Sequence, residues 1–215
     1  MCGICGFYGF EDKRLIKQMT DILYHRGPDD SGIFIDKDVC LGHRRLSIID
    51  LSEKGRQPIF NEDKSVMVIF NGEIYNFKGV RKTLEEKGHK FYSDADTEVI
   101  VHAYEEYGER CITLFNGMFA FAIWDSRKKL FFLARDRAGI KPLYYSIKNN
   151  KFIFASEIKS ILLHKDIKRE LDNNSLYKYL TFRYIPGEQT IFKDVRKLSP
   201  GHYMIYKLRI YYRYK

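Results

Sequence analysis

The stretch MFAFAIWD-SRKK-LFFLARD, residues 118–136, decides the fold. Two apolar runs of strand length, rich in Phe, Leu and Ile, are joined by the polar residues Ser126, Arg127, Lys128 and Lys129. That pattern predicts a β-hairpin with at least one strand buried on both faces. Downstream, LYYSI (143–147) and FIFAS (152–156) read as a second strand pair. Upstream, VMVIF (66–70) is a buried strand closed by Asn71-Gly72, and helices are expected over 76–87 and 97–107. Nearer the start, residues 3–9 read as a strand. Leu15, Ile16, Met19, Ile22 and Leu23 mark one helical face over 13–24, broken by Gly27-Pro28. Short strands are expected at 32–35, 39–42 and 46–50, and helices near Glu157 and near Ser175. Tight hairpins in place of regular βαβ alternation point to antiparallel sheets with helices on their outer faces, an α+β class. The segment after about residue 170, with Pro-Gly turns at 186–187 and 200–201, reads as an appendage.

Composition narrows the function. A chain of 215 residues with 45% hydrophobic and 15% aromatic content can bury a sizeable core without staples. Disorder is excluded by the aromatics. No apolar run reaches about 18 residues, so no membrane span is expected, and MCGICGFYGF lacks the basic start of a signal peptide. The net charge is +9, but the basic residues are scattered among acids, so a solvated surface is expected and no nucleic-acid partner. Four cysteines in this setting read as reduced thiols in the cytoplasm.

Cys2 is the first reactive candidate. Once the initiator Met is removed, the chain begins with a thiol and a free α-amine. Such an amine has an ordinary pKa of about 7.7–8.0, so it is a usable general base without burial. Held beside its own thiol, it can take that proton directly or through one water. Cys2-x-x-Cys5 also has the spacing of half a zinc site or a redox pair. Cys40, Cys111, His25 and His43 offer no matching second half, and Cys5 at strand spacing is most simply a core residue.

A cysteine attacking a carboxamide needs donors for the developing oxyanion. Asn71-Gly72 can supply a side-chain NH2 and a backbone N–H, although the same pair is the favoured type I′ hairpin turn. Arg45, in GHRRLSIID, can clamp a substrate carboxylate, or be an ordinary exposed arginine. Asp96, in SDADTEVI, can accept a substrate ammonium, or cap the helix that follows. Arg26-Gly27-Pro28-Asp29 is a tight turn suited to a rim or lid.

Together, MCGICG, LYHRGPDDSG, GHRRLSIIDLSEKGRQPI, FNGEIYNF, SDADTEVI and GMFAFAIWD followed by ARDRAGIKPLYY resemble the class II glutamine amidotransferases, which are N-terminal nucleophile hydrolases. The resemblance covers about residues 2–165. Its nearest subgroup is the glutamine-hydrolysing asparagine synthetases, whose connection to the synthetase domain LDNNSLYKYLTFRYIPGEQTIFKDVRKLSPGHY also resembles. It implies a four-layer αββα sandwich, two antiparallel sheets between helices, and hydrolysis of L-glutamine to glutamate and ammonia. It further implies Cys2 as nucleophile with its own amine as base, and Asn71 and Gly72 as the oxyanion hole. Arg45 would hold the glutamine carboxylate and Asp96 its ammonium. Glu73 and the backbone of Leu46, Ser47, Ile48 and Ile49 would complete the substrate contacts.

On this reading residues 2–165 are the glutaminase domain and 166–215 a connecting segment. The Ser-Gly-Gly-x-Asp-Ser phosphate loop of the synthetase domain does not occur. No cofactor or metal is therefore expected here, ATP and Mg belonging to the synthetase domain, and asparagine synthesis by this chain alone is not expected. The expected partners are L-glutamine and, in trans, a synthetase subunit or a second copy of the chain. From Leu208 onward apolar and basic residues alternate as one strand, with the polar turn of relatives shortened or missing, as a truncated, split or frameshifted gene would give. Two other readings stay open: the glutaminase module of another class II amidotransferase, and an inactive fragment or glutamine-binding module without turnover.

Overall fold

Period-two alternation, applied twice over, builds the molecule. The computed structural model describes residues 1–207 and 210–215. In chain order the elements are β1 Gly3–Tyr8, α1 Lys13–Asp21, β2 Asp30–Asp36, β3 Val39–Arg45, β4 Ile59–Phe60, β5 Val66–Ile74, α2 Phe77–Glu86 and α3 Glu98–Tyr107. There follow β6 Gly117–Asp125, β7 Leu130–Arg135, β8 Tyr144–Lys148, β9 Lys151–Ala155, α4 Ile158–Ile161, α5 Asn173–Phe182, β10 Arg196–Lys197, β11 Tyr203–Lys207 and β12 Ile210–Tyr214. Two antiparallel sheets result, in the orders β10-β8-β9-β1-β3-β2 and β12-β11-β7-β6-β5-β4.

Three apolar layers stack in turn. Between the sheets, Ile4, Leu41, Phe152 and Phe154 of the first meet Met67, Ile69, Ala122, Phe131 and Leu133 of the second. On the outer face of the first sheet, Cys5, Phe7, Cys40 and Ile153 pack on Leu15, Ile16 and Met19 of α1 and Ile161 of α4. On the outer face of the second, Val68, Phe70, Phe121 and Ile123 pack on Leu84 of α2 and Val99, Ile100 and Ala103 of α3. Helix, sheet, sheet and helix are thus four layers, because strands buried on both faces need cover on both. The hairpin read at 118–136 is β6-β7, paired from Asp125↔Leu130 to Ala120↔Arg135.

Four local readings change. Residues 46–50 are loop, not strand: the Ser47 N–H donates to Asp29 Oδ2 at 2.8 Å, and Arg45 donates to the Ser52 carbonyl at 2.7 Å, which wraps the chain away from any partner strand. Asn71-Gly72 is not a turn but lies inside β5, opposite Ala120 and Phe119. A Cβ on Gly72 would stand 2.2 Å from the Met118 carbonyl oxygen, so the glycine serves close strand approach rather than chain reversal. The segment after 170 is no appendage, since β10 edges the first sheet and β11 joins β7 in the second. Finally, the terminal run is the second half of a hairpin. β12 folds back on β11, Lys207 opposite Ile210, while Leu208 and Arg209 lie outside the described residues.

Candidate active site

The same alternation aims the reactive groups. Cys2 precedes β1 in step with Ile4, so it faces the gap between the sheets. Cys5 is out of step. It packs with α1, its sulfur 3.6 Å from Thr20 Oγ1, and burial pushes its thiol up to about 12. The two cysteines therefore point to opposite faces and are not a redox pair. Of the described cysteines only Cys2 is less than fully buried. Asn71 shares the inner face of β5 with Met67 and Ile69, and it lines one open cavity with Cys2. That cavity also takes in Arg45, Leu46, Ile48, Ile49, Gly72, Glu73 and Asp96. Ser47 alone among the expected site residues stays outside its lining, its N–H spent on Asp29.

The edge of β5 sets out a row of donors. The Phe70 N–H is held by Gln57 Oε1 at 2.7 Å and the Ile74 N–H by Asp96 Oδ2 at 2.9 Å. Phe119, opposite Gly72, directs its own backbone groups to Asp136, accepting from its N–H at 2.8 Å. Gly72 and Phe119 are thus a non-hydrogen-bonded pair, and the Gly72 N–H points away from β6, between the two held donors. β4 pairs only with residues 67 and 68 and does not reach it. Beside it, Asn71 is fully buried, and neither its Nδ2 nor its Oδ1 has a partner among the described residues. Such a group costs roughly 1–3 kcal/mol to leave unsatisfied, which makes Asn71 a candidate for a ligand contact.

Sequence reading did not give these positioning roles to the groups that set them in place, because their partners lie far along the chain. His43 Nε2 lies 3.1 Å from the Phe70 carbonyl; that oxygen can only accept, so Nε2 carries the hydrogen and ties the two sheets together just before Asn71. Burial holds the His43 ring neutral, down to about 3. Arg26, 9% exposed, donates to the Cys2 carbonyl at 2.9 Å and to Glu157 at 2.9 Å. The expected rim is therefore a clamp on the backbone of Cys2. Lys141, 5% exposed, also lines the cavity, and burial lowers its pKa. Its buried setting carries no local sequence signal.

The glutamine amidotransferase domain family matches residues 1–212. The chain belongs to that family. Asparagine synthetase (glutamine-hydrolyzing) 3 of Bacillus subtilis (strain 168) is 42% identical over 211 residues, covering 94% of this chain and 34% of the relative. Asparagine synthetase (glutamine-hydrolyzing) 1 of the same organism is 44% identical over 209 residues, covering 94% and 33%. This amidotransferase domain thus spans about a third of the length of the curated relatives it matches. Glutamine phosphoribosylpyrophosphate amidotransferase from B. subtilis superposes on the whole chain and 49% of its own with a TM-score of 0.72 at 18% identity, a likeness of fold. The chain is a class II glutamine amidotransferase domain with the N-terminal nucleophile hydrolase fold, homologous to the glutaminase domain of asparagine synthetases. Among the described residues no helix is long and apolar enough to cross a membrane.

Charge in the amidotransferase cavity is unevenly placed. Burial raises the Cys2 thiol, opposed by the Leu46 N–H, the chain terminus and Arg45. Leu46 N lies 3.4 Å from the sulfur. Burial also lowers the pKa of the Met1 amine, helped by Arg26 and Lys141. Asp96 is not a helix cap. Thr97 holds that position, while the Asp96 carboxyl is buried and raised to about 6 by that burial and by Glu73.

Proposed function

We propose that this chain hydrolyses the side-chain amide of L-glutamine to glutamate and ammonia through a Cys2 thioester. The observation that carries the reading is Asn71, with both polar side-chain atoms buried and unpartnered in the cavity that holds Cys2. Removal of Met1 frees the Cys2 amine, which takes the thiol proton; an α-amine of ordinary pKa, about 7.7–8.0, is partly neutral near pH 7 and serves as the base. The thiolate adds to the amide carbon, and the oxyanion rests on Asn71 Nδ2 and the Gly72 N–H. The ammonium at Cys2 returns its proton to the leaving nitrogen, so ammonia departs and a γ-glutamyl thioester remains. Water, deprotonated by the same amine, cleaves it and restores the thiol. Arg45 clamps the substrate carboxylate, Asp96 and Glu73 take its ammonium, and Leu46, Ile48 and Ile49 form the backbone wall, with Ser47 behind it on Asp29. No cofactor takes part in this scheme.

Purified, correctly processed chain is expected to release ammonia from glutamine. Asn71→Ala is expected to lower kcat by about 10²–10³ with little change in KM. Unchanged turnover in that variant removes the oxyanion hole from the proposal.

Asp96 gives the reading a pH signature. A carboxyl raised to about 6 is ionised above that pH and neutral below it. Only the ionised form attracts the substrate ammonium, so KM for glutamine is expected to climb as pH falls through about 6. An unperturbed aspartate would show the climb nearer 4. Asp96→Asn is expected to raise KM and flatten that limb. A KM constant from pH 5 to 7 in the parent chain contradicts the assignment.

The liberated ammonia is destined for ATP-dependent amidation of aspartate in the cytoplasm, by a synthetase module joined to or associated with this chain. The similarity to glutamine-hydrolysing asparagine synthetases supports this. Co-purification with a chain carrying a Ser-Gly-Gly-x-Asp-Ser loop is the direct check.

A further inference from the structure

Away from the cavity, the loop between β4 and β5, the segment after α2 and one face of α3 converge at Glu62, His89, His102 and Glu105. We infer that these residues form a divalent-cation site suited to Zn2+. One ligand atom from each lies within 4.8 Å of every other. His102 and Glu105 are one helical turn apart on α3, so both project to the same side.

Each side chain has one donor atom facing the common centre; the second oxygen of each carboxylate is hydrogen-bonded elsewhere, and the second nitrogen of each imidazole faces an outer carboxylate. Glu105 Oε2 lies 3.3 Å from His102 Nδ1 and 3.9 Å from His89 Nδ1, and Glu62 Oε2 lies 3.7 Å from His102 Nδ1. Behind them, Glu105 Oε1 accepts from Asn61 Nδ2 at 2.7 Å and Glu62 Oε1 from the Lys90 N–H at 3.1 Å. His102 Nε2 faces buried Glu98 at 3.5 Å, and His89 Nε2 faces Glu106 at 3.6 Å. Metal-binding imidazoles and carboxylates have such outer partners, which keep one lone pair inward; here the carboxylates are already bonded behind, and Glu98 and Glu106 stand within reach of the two rings. Zinc bonds of about 2.0–2.1 Å set tetrahedral donors about 3.3 Å apart; the edges at 3.3, 3.7 and 3.9 Å lie near that length, and the others, all within 4.8 Å, draw in further on binding. Two imidazoles and two carboxylates suit Zn2+ rather than a hard, all-oxygen cation. His102 is 1% exposed and Glu62 46%, which gives a rigid floor and an open entrance. Glu98, behind His102, also accepts from the Tyr92 and Ser93 N–H groups, so the site would fasten the segment that leads to Asp96.

The test uses the whole chain stripped with a chelator and titrated with zinc chloride by calorimetry. One zinc per chain is expected, with a raised unfolding temperature and the visible absorption bands of tetrahedral Co2+ on cobalt substitution. Glu62→Ala, at an exposed position that keeps the fold, and His89→Ala, at a half-buried one, are each expected to weaken binding at least tenfold and to lose the thermal shift. Glutamine turnover of Glu62→Ala should match the parent. No saturable uptake at micromolar zinc overturns the inference and leaves a protonated His102 neutralising the carboxylates; so does binding unaltered by both substitutions.

Discussion

Glutamine hydrolysis is expected to vanish in Cys2→Ala, falling by roughly 10⁴-fold or more, while the circular dichroism and unfolding midpoint stay with the parent. The size follows from the role. Without the sulfur there is no thioester, and the amide must be attacked by water held beside donors meant for a different geometry. The fold should not notice, because Cys2 lies just outside β1, and the strand is held by its register with β3 and β9 from Gly3 onward. Alanine at position 2 also permits Met1 removal, so this variant keeps the terminal amine and isolates the thiol. The complementary experiment keeps the thiol and moves the amine. Chain that retains Met1, identified by mass spectrometry, is expected to be equally silent, because its amine belongs to the residue before the sulfur. Ammonia release by either species at the parent rate would falsify Cys2 chemistry.

What could be read in advance follows a physical line. Apolar alternation is a local property, so MFAFAIWD and LFFLARD announced their hairpin and the layers around it. Cys2, Arg45, Asn71 and Asp96 were nameable because each offers chemistry that an amino-acid amide needs, yet each singly has a duller use. Their meeting in one cavity is a tertiary fact. Where local preference and tertiary pairing disagreed, pairing won. Asn71-Gly72 has the strongest turn signal in its stretch, and β6 overrode it by offering nine consecutive partners from Gly117 to Asp125. Arg26 reads only as part of a rim and His43 only as an unmatched metal ligand, and Gln57 and Lys141 carry no reading, for the opposite reason. Nothing near them in sequence marks a clamp on Cys2, a hold on Phe70 or a buried ammonium, since their partners sit on other elements.

Tyr206→Ala is expected to cost about 3–5 kcal/mol in urea unfolding, the range for removing a large aromatic from a packed interior. Tyr206 is 1% exposed in the layer between the sheets, stacked on Phe152 with ring centroids 4.5 Å apart and set edge-on to Tyr8 at 5.9 Å. Its neighbour Met204, fully buried, fills the same layer. β11 therefore carries the central core across from β7 and is not a tether beyond it. The sequence undersold it because the alternation in YMIYK is short and its outward face is tyrosine and isoleucine rather than polar residues. Tyr206→Phe keeps the ring and is expected to lose far less, which separates packing from the hydroxyl. A loss below about 1 kcal/mol for the alanine variant would mean that β11 detaches freely and that the core closes without it. The same result would loosen Phe152, Phe131 and the sheet pair whose shared inner face aims Cys2 and Asn71 at one another.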